Sequence, residues 1–398
     1  MAHETQIPRL AALIIADHPV ELPLVLGRSV TELQIARVVA TGARHIVCLV
    51  HQVSVRMLAV ADNLRGNGLT IDIVRSITDA ADAIHPEEQV FLVASQVLVS
   101  GKTLEALANK PPSLLCVEND PKYGQFELID GSARWTGYAY LSGVTLRRVA
   151  AMIGDWDAAS TLLRQMVQEN ARRVVLAQSQ IDDSMLTVRD GADAIQAGRK
   201  LLNEDIAYRG GFGERWIAKL ISQLAARIAG ELGLKSLVIE YAAVAIAVGA
   251  AIISLAGWLG ISMLLLLFSY LAQSTGTRLA VAVADLNSRN ALFRCVITGS
   301  ATVITGSCAI TLTSRTGQWG CLVLGGLLVG SQALLVSRQS SVKSSARWAA
   351  DPLSSIVLLF LGIVSTLPLA GLFLATAHST ASYLYLDGRK RPLLGDQE

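Results

Sequence analysis

Residues 236–256 read SLVIEYAAVAIAVGAAIISLA. A helix rises 1.5 Å per residue and the hydrocarbon core of a bilayer is about 30 Å thick, so roughly 20 apolar residues are needed to cross it. This stretch meets that requirement. Toward the C-terminus, Ile261 to Val283, Leu292 to Thr313 and Trp319 to Val336 have the same character, and from Tyr241 to Ala350 there is one acid, Asp285, and no histidine. Ser354 to Tyr385 is too long for a single crossing, and it carries Pro368 near its middle. Proline removes a backbone donor and disfavours helix in the residue before it. The segment therefore reads as two short spans joined by a tight turn, which gives six spans in all.

Charge placement tests that count separately, because cytoplasmic loops collect Lys and Arg. Arg215, Lys219, Arg227 and Lys235 precede the first span, and Arg278, Arg289 and Arg294 surround the second connection. Arg338, Lys343 and Arg347 fill the fourth, and Arg389 to Arg391 follow the last. With six spans every one of these clusters falls on the same side. The expectation is a multi-pass protein of the cytoplasmic membrane with both termini in the cytoplasm.

Upstream, the chain reads as soluble. Its opening residues have no basic region, apolar core and cleavage site in sequence, so no removable signal is expected. A net charge of +2 and the lack of Lys/Arg runs with interleaved aromatics exclude nucleic acid as an expected partner. The five cysteines, Cys48, Cys116, Cys295, Cys308 and Cys321, show no Cys-x-x-Cys spacing and read as thiols rather than metal ligands. Strand-like runs at Leu10–Ala16, His45–Val50, Leu69–Val74 and Val90–Ala94 alternate with helical patterns at Ser29–Thr41, Val55–Gly66 and Ile77–Ile84. That alternation predicts a parallel sheet covered on both faces. Shorter runs at Leu114–Val117, Phe126–Ile129 and Ala139–Ser142 suit an antiparallel extension, Trp156–Asn170 a helix capped by Asp155, and Val174–Ala177 a final strand. Ligands of such sheets sit beyond the carboxyl ends of the strands, which places Asp17 to Arg28 and Ser95 to Gly101 beside the expected pocket.

Between the halves, Ile181 to Asp205 is polar and reads as a linker helix, and Gly210 to Gly213 reads as a break. From Glu214 to Leu232 the residues Trp216, Leu220, Leu224, Ile228 and Leu232 recur every four, with Arg215, Lys219 and Arg227 off that stripe. A helix lying in the membrane interface has this pattern. The expected organisation is an α/β domain over 1–180, a linker and interfacial helix over 181–235, a six-helix membrane domain over 236–386 and a tail over 387–398.

Leu13 to Ala16, Pro23 to Arg28 and Gly42 to Val47, in this order of elements, resemble the nucleotidyltransferase fold that makes nucleoside-diphosphate alcohols and sugars. The resemblance implies a Gly-rich loop after the first strand and a metal-binding Asp after the fourth. This sequence has Ala16-Asp17-His18-Pro19 and Ala94-Ser95-Gln96 there. With the interfacial helix and six spans added, the chain resembles the CDP-alcohol phosphatidyltransferase family, particularly its fused members that make and use the CDP-alcohol. That resemblance implies Asp-x-x-Asp-Gly-x-x-Ala-Arg at the end of the second span, followed by further acids that bind two metals. The corresponding stretch runs from Ala272 to Ala280 and keeps only Gly276: Ala272 and Thr275 occupy the first two acidic positions and Ala280 the arginine position.

A pyrophosphate brings several negative charges, so losing the carboxylates removes the means of holding neutralising metals. The leading expectation is thus a non-catalytic or divergent member in phospholipid or phosphoalcohol metabolism, which binds lipid headgroup, nucleotide or a partner protein. The alternative is an active phosphoalcohol transferase with Mg²⁺, served by Asp17, Asp155, Asp157 or Asp285. A small-molecule transporter is the third class, and scarce intramembrane charge argues against it. Asp17, Arg28, Arg278 and Asp285 are the candidate ligand-binding residues. His18 and His45 read as ordinary loop and strand-end residues. The bilayer is the expected partner, and Gly249, Ser254, Gly325, Gly326, Gly330 and Gly362 mark expected close approaches of helices, including a homodimer contact through the membrane domain.

Overall fold

The computed structural model describes residues 10–16, 22–152, 157–203, 211–285, 290–339 and 348–388. The chain forms two compact units, Met1–Gly198 and Arg199–Glu398. In the first, β1 (Leu10–Ile15), α1 (Val30–Ala40), β2 (His45–Leu49), α2 (Val55–Gly66), β3 (Thr70–Val74), α3 (Ile77–Ala83) and β4 (Gln89–Val93) alternate as the sequence predicts. There follow β5 (Val97–Val99), α4 (Gly101–Ala108), β6 (Ser113–Glu118), β7 (Glu127–Leu128), β8 (Ala133–Ser142), α5 (Gly143–Ala150), α6 (Ala158–Gln168) and β9 (Arg172–Leu176). The sheet order is β3-β2-β1-β4-β8-β6-β9, with β7 paired to β8. β8 runs antiparallel to both β4 and β6, so the sheet is mixed, as the short strands suggested.

Side chains alternate across β1 with the period of two that a strand imposes. Ala12 and Ile14 join a core with Ile35 and Val38 of α1, Leu64 of α2 and Leu104 of α4. Ala11 and Leu13 join one with Ala80 of α3, Leu146 of α5 and Met166 of α6. Helices are held at their starts by serine caps: Ser29, Ser54, Ser76, Ser100 and Ser142 each accept a backbone N–H of the first turn, a contact worth about 1 kcal/mol. Asp157, not Asp155, caps α6, and Asp155 lies outside the described residues.

The polar stretch after β9 is not one linker helix. It forms α7 (Gln178–Ser184), β10 (Met185–Thr187) and α8 (Gly191–Asn203), and β10 pairs antiparallel with β5. The glycine-rich stretch also behaves differently from expectation. Helix begins at Phe212, and Gly213–Ala218 is a π-helical turn continuous with α9 (Lys219–Glu231).

The rest of the second unit is helical: α10 (Ser236–Leu255), α11 (Leu259–Ala282), α12 (Asn290–Thr316), α13 (Gly320–Gln339), α14 (Pro352–Val364) and α15 (Pro368–Gly388). Among the described residues, three helices are long and apolar enough to cross a membrane: Ser236–Leu255, Leu259–Ala282 and Leu292–Thr316. Gly320–Leu335 and Pro352–Val364 are apolar but shorter. The break at Pro368 is present. Thr366 takes a positive φ of 59°, Leu367 N–H returns to Gly362 O at 2.8 Å, and α14 and α15 meet at Gly362 and Gly371. Of the other small residues, Gly325 lies against Ala309 and Ser254 is buried, whereas Gly249, Gly326 and Gly330 face open space. Between α13, α14 and α15 a polar seam replaces carbon packing: Gln332 Nε2 donates to Ser355 Oγ at 2.7 Å and Ser379 Oγ at 3.1 Å, and Ser331 Oγ meets Ser379 Oγ at 2.7 Å.

Candidate functional site

In the first unit, the carboxyl ends of β1 and β4 carry the residues the sequence singled out. Asp17 and His18 lie outside the described residues. Arg28 closes a two-residue turn with Val25, exchanging N–H···O bonds of 2.8 and 3.0 Å, with Leu26 and Gly27 both at positive φ. Gly198 of α8 leaves room for Leu26, since a Cβ there would come 3.2 Å from Leu26 Cδ2. The Ala94-Ser95-Gln96 loop is pinned from two sides. Gln34 Nε2 donates to Ser95 O at 2.6 Å and Val97 O at 2.9 Å, and Tyr138 Oη donates to Val97 O at 2.6 Å. Gly137, at φ 89°, has no room for a side chain, because a Cβ would fall 2.6 Å from Ser95 Oγ. That hydroxyl is buried without a hydrogen-bond partner among the described residues. These contacts fix the position of the loop, which carries the buried Ser95 hydroxyl at the place where the sequence resemblance implied an Asp.

His45 is more than a strand-end residue. Its Nε2 lies 3.0 Å from Asp72 Oδ2 and its Nδ1 3.4 Å from Glu88 Oε2. The two carboxylates approach opposite ring nitrogens, so the group ties β2 to β3 and to the start of β4. It also sits at the amino ends of the strands, away from the expected pocket.

In the second unit, Ala272, Gly276 and Ala280 are spaced by four and share one side of α11. That side faces α10. Ser269 Oγ, from the same side, donates to Ala243 O at 2.7 Å, and a Cβ on Gly276 would lie 2.9 Å from Glu240 Cγ and 3.4 Å from Ser236 O. The small residues at these positions thus let two helices approach closely, and the space left by Gly276 is filled by Glu240, whose side chain is fully buried. Thr275 turns its hydroxyl back to Leu271 O at 2.8 Å. Arg278 is buried and lies about 200° around the helix from Gly276 at 100° per residue, on another side. Asp285 lies past the end of α11, where Ala284 takes a positive φ of 47°, and its Oδ2 accepts from Ser236 Oγ at 2.7 Å. Glu240, Ser236 and Asp285 therefore gather at the α10–α11 contact.

A second acidic group lies where the π-helical turn meets α14. Asp351 is 1% exposed and caps α14, with Oδ1 accepting from Ser354 N at 2.7 Å and Oδ2 from Glu214 N at 2.7 Å. Glu214 is half-buried and 3.5 Å from Arg294. Burial pushes the Glu214 carboxyl up from its ordinary value; Arg294 opposes that and Asp351 adds to it. A carboxyl raised in this way stabilises the fold fully below the ordinary value near 4.5, and the contribution is lost as pH rises through the raised value. Glu214→Gln is therefore expected to lose less stability than the parent when the pH is raised across that window. Thermal unfolding in detergent over a pH series measures this, and superimposable profiles would show that Glu214 does not titrate abnormally.

Glu240, Glu214 and Asp351 were not singled out from the sequence. Glu240 is hidden in an apolar run, and Glu214 and Asp351 are 137 residues apart. Among the described residues no group of three or more His, Cys, Asp or Glu is placed to hold a metal ion.

No protein-family model matches the sequence, and no curated protein matches it. Solved structures do match the N-terminal half. A 4-diphosphocytidyl-2C-methyl-D-erythritol synthase of Anaerococcus prevotii is 13% identical, with 49% of this chain and 98% of that chain covered and a TM-score of 0.35. A protein assigned as a glucose-1-phosphate thymidylyltransferase of Bacillus anthracis is 9% identical, with 50% and 96% covered and a TM-score of 0.38. At that level of similarity the class of the domain rests on its own strand order and register: a mixed-sheet α/β domain followed by an all-helical region.

Proposed function

We propose that the chain is a polytopic membrane protein related in layout to the fused CDP-alcohol-forming and CDP-alcohol phosphatidyltransferases, in which the membrane-domain reaction site has become a helix–helix contact. The observation that carries this reading is Glu240 seated against Gly276. In a working site the glycine would face substrate, whereas here its open side is occupied by a neighbouring helix. On this reading the protein serves phospholipid or phosphoalcohol metabolism by binding rather than by group transfer. Purified protein incubated with CDP-alcohols and Mg²⁺ or Mn²⁺ is expected to release no CMP above a protein-free control. Metal-dependent CMP release would overturn it.

Buried Glu240 favours a second reading, a divergent transferase. Ionisable side chains inside apolar helices are costly and commonly functional, and Glu240 with Asp285 would be the acids available at the α10–α11 contact. The same assay separates the two readings, because CMP release lost on Glu240→Gln would select the second.

The six-span topology with cytoplasmic termini belongs to this proposal and is supported by the placement of Lys and Arg. Cys295 tests it. Of the five cysteines it alone is exposed, and Cys48 and Cys116 are also pushed up to about 12 by burial. It lies beside Arg294 in a 27-residue helix, which at about 40 Å exceeds the hydrocarbon core and leaves its ends at headgroup level. A charged, impermeant maleimide is expected to label one thiol per chain, and only when applied from the cytoplasmic side. Labelling from the opposite side would reverse the topology.

A further inference from the structure

We infer that Glu214 works a proton-operated latch: the 211–218 segment is held on the start of α14 while the Glu214 carboxyl carries a proton, and it is released when that carboxyl ionises. The join lies below the ends of the helices around it. A Cβ on Gly260, near the start of α11, would meet Ile363 Cγ2, near the end of α14, at 3.8 Å, so the two helices run antiparallel. Equal lengths measured back along them bring Asp351 level with Ala272, about 15 Å short of the end of α11 at Ala282. The Tyr270 hydroxyl agrees with that level: it is buried and feels the charges of Glu214, Asp351 and Arg294. The acids therefore meet inside the bundle, where a charge without a partner is costly.

Glu214 supplies both the fastening and the trigger. Its backbone N–H donates to Asp351 Oδ2 at 2.7 Å, and with Phe212 N–H on Ala349 O at 2.8 Å this holds the segment to α14. Its side chain brings a second carboxyl toward the carboxylate that its backbone grips. α14 presents Asp351 to that carboxyl, α12 presents Arg294 at 3.5 Å and α11 the Tyr270 hydroxyl; α9 adds no charge that acts on it. His378 meets the segment at the ring of Phe212, 6.4 Å away, and not at Glu214. Among the described residues one guanidinium, itself more than half exposed, thus faces two carboxyls. Both oxygens of Asp351 accept backbone N–H groups, which suits the ionised form, so the proton falls to Glu214. Burial raises the Glu214 carboxyl, Arg294 opposes the rise and Asp351 adds to it. The held form is complete below the ordinary value near 4.5 and weakens as pH rises through the raised value. Each unit between the two multiplies the ratio of released to held segment about tenfold. Gly211 and Gly213 lie too tightly against Ala349 and Asp351 for the segment to shift while docked, so relief comes by undocking.

The test uses full-length protein in detergent, in a Cys295→Ser background because the other native thiols are buried. Nitroxides are placed at Trp216→Cys on the segment and Leu384→Cys on α15, both exposed, and pulsed dipolar spectroscopy reads the distance between them over a pH series. A second pair, Ile310→Cys on α12 and Leu361→Cys on α14, also exposed, reports the bundle itself. The expected result is one narrow 216–384 distance at acid pH that gives way to a broad, longer distribution as pH rises, while the 310–361 distance stays fixed. Glu214→Gln, which cannot ionise, is expected to keep the narrow distance throughout. Arg294→Gln, which removes the opposing cation, is expected to release the segment more completely at the alkaline end. A 216–384 distance that ignores pH would overturn the latch. So would a Glu214→Gln protein that opens as the parent does, which would assign the titration to His378, and so would a 310–361 pair that broadens in step, which would mean that the whole bundle unfolds.

Discussion

Asp351→Ala is expected to unfold the start of the second unit. The carboxylate is 1% exposed and each oxygen takes a buried backbone N–H, one from its own helix and one from Glu214. Removing it deletes an N-cap worth about 0.5–2 kcal/mol and strands the Glu214 donor at about 1–3 kcal/mol, so a loss of about 1.5–5 kcal/mol is the sum. The surroundings leave no slack to absorb it. Phe212 N–H donates to Ala349 O at 2.8 Å, Ala350 N–H donates to Ser382 Oγ at 2.8 Å, and a Cβ on Gly213 would fall 2.7 Å from Asp351 Oδ1. Gly211 is equally closed, because a side chain there would overlap Ala349 O. Asp351→Asn keeps one acceptor and should retain most of the stability, while Gly211→Ala should approach the loss of Asp351→Ala because the obstacle is backbone. Thermal unfolding in detergent and the rate of proteolysis ahead of α9 measure both effects. An Asp351→Ala protein with the parent's unfolding temperature and resistance would show that the segment is held by something else.

The three long apolar helices, the alternating strands and helices and the stripe on α9 were legible because each is a local period: about 20 apolar residues, strand–helix alternation, or a repeat of four. Contacts set by register were not. His45 has no carboxylate near it in sequence. The parallel pairing of β2 with β3 puts Thr70 opposite His45, and Asp72, two residues on, reaches the same side of the sheet. The glycines ahead of α9 were misread. Gly211 and Gly213 looked like a chain break, yet they are glycines because Ala349, Asp351 and Ser354 leave no space for anything larger. The same limit hid the acids. Neither Asp351 nor Glu240 carried a reading of its own in the sequence, although both are buried, where an ionisable side chain is costly to place.

Gly276→Ala is the substitution on which the candidate site turns, and it is expected to act through Glu240. A methyl there would sit 2.9 Å from Glu240 Cγ, close to the root of the side chain, with Ser236 O at 3.4 Å and Glu240 N at 3.5 Å, so the carboxylate cannot swing clear without moving α10. Overfilling a packed contact costs about 1–3 kcal/mol. If Glu240 is what fills the space, Glu240→Ala should restore room for the methyl, and the double variant should be more stable than the sum of the single losses by about 1 kcal/mol or more. Additive losses would show that the glycine answers to the α10 backbone alone. The cycle also bears on function. Where the contact is purely structural, neither single variant changes CDP-alcohol binding, because there is none to change. Binding by the parent that both variants abolish would place a nucleotide at the α10–α11 contact, and Glu240 would then hold the ligand instead of standing in its place.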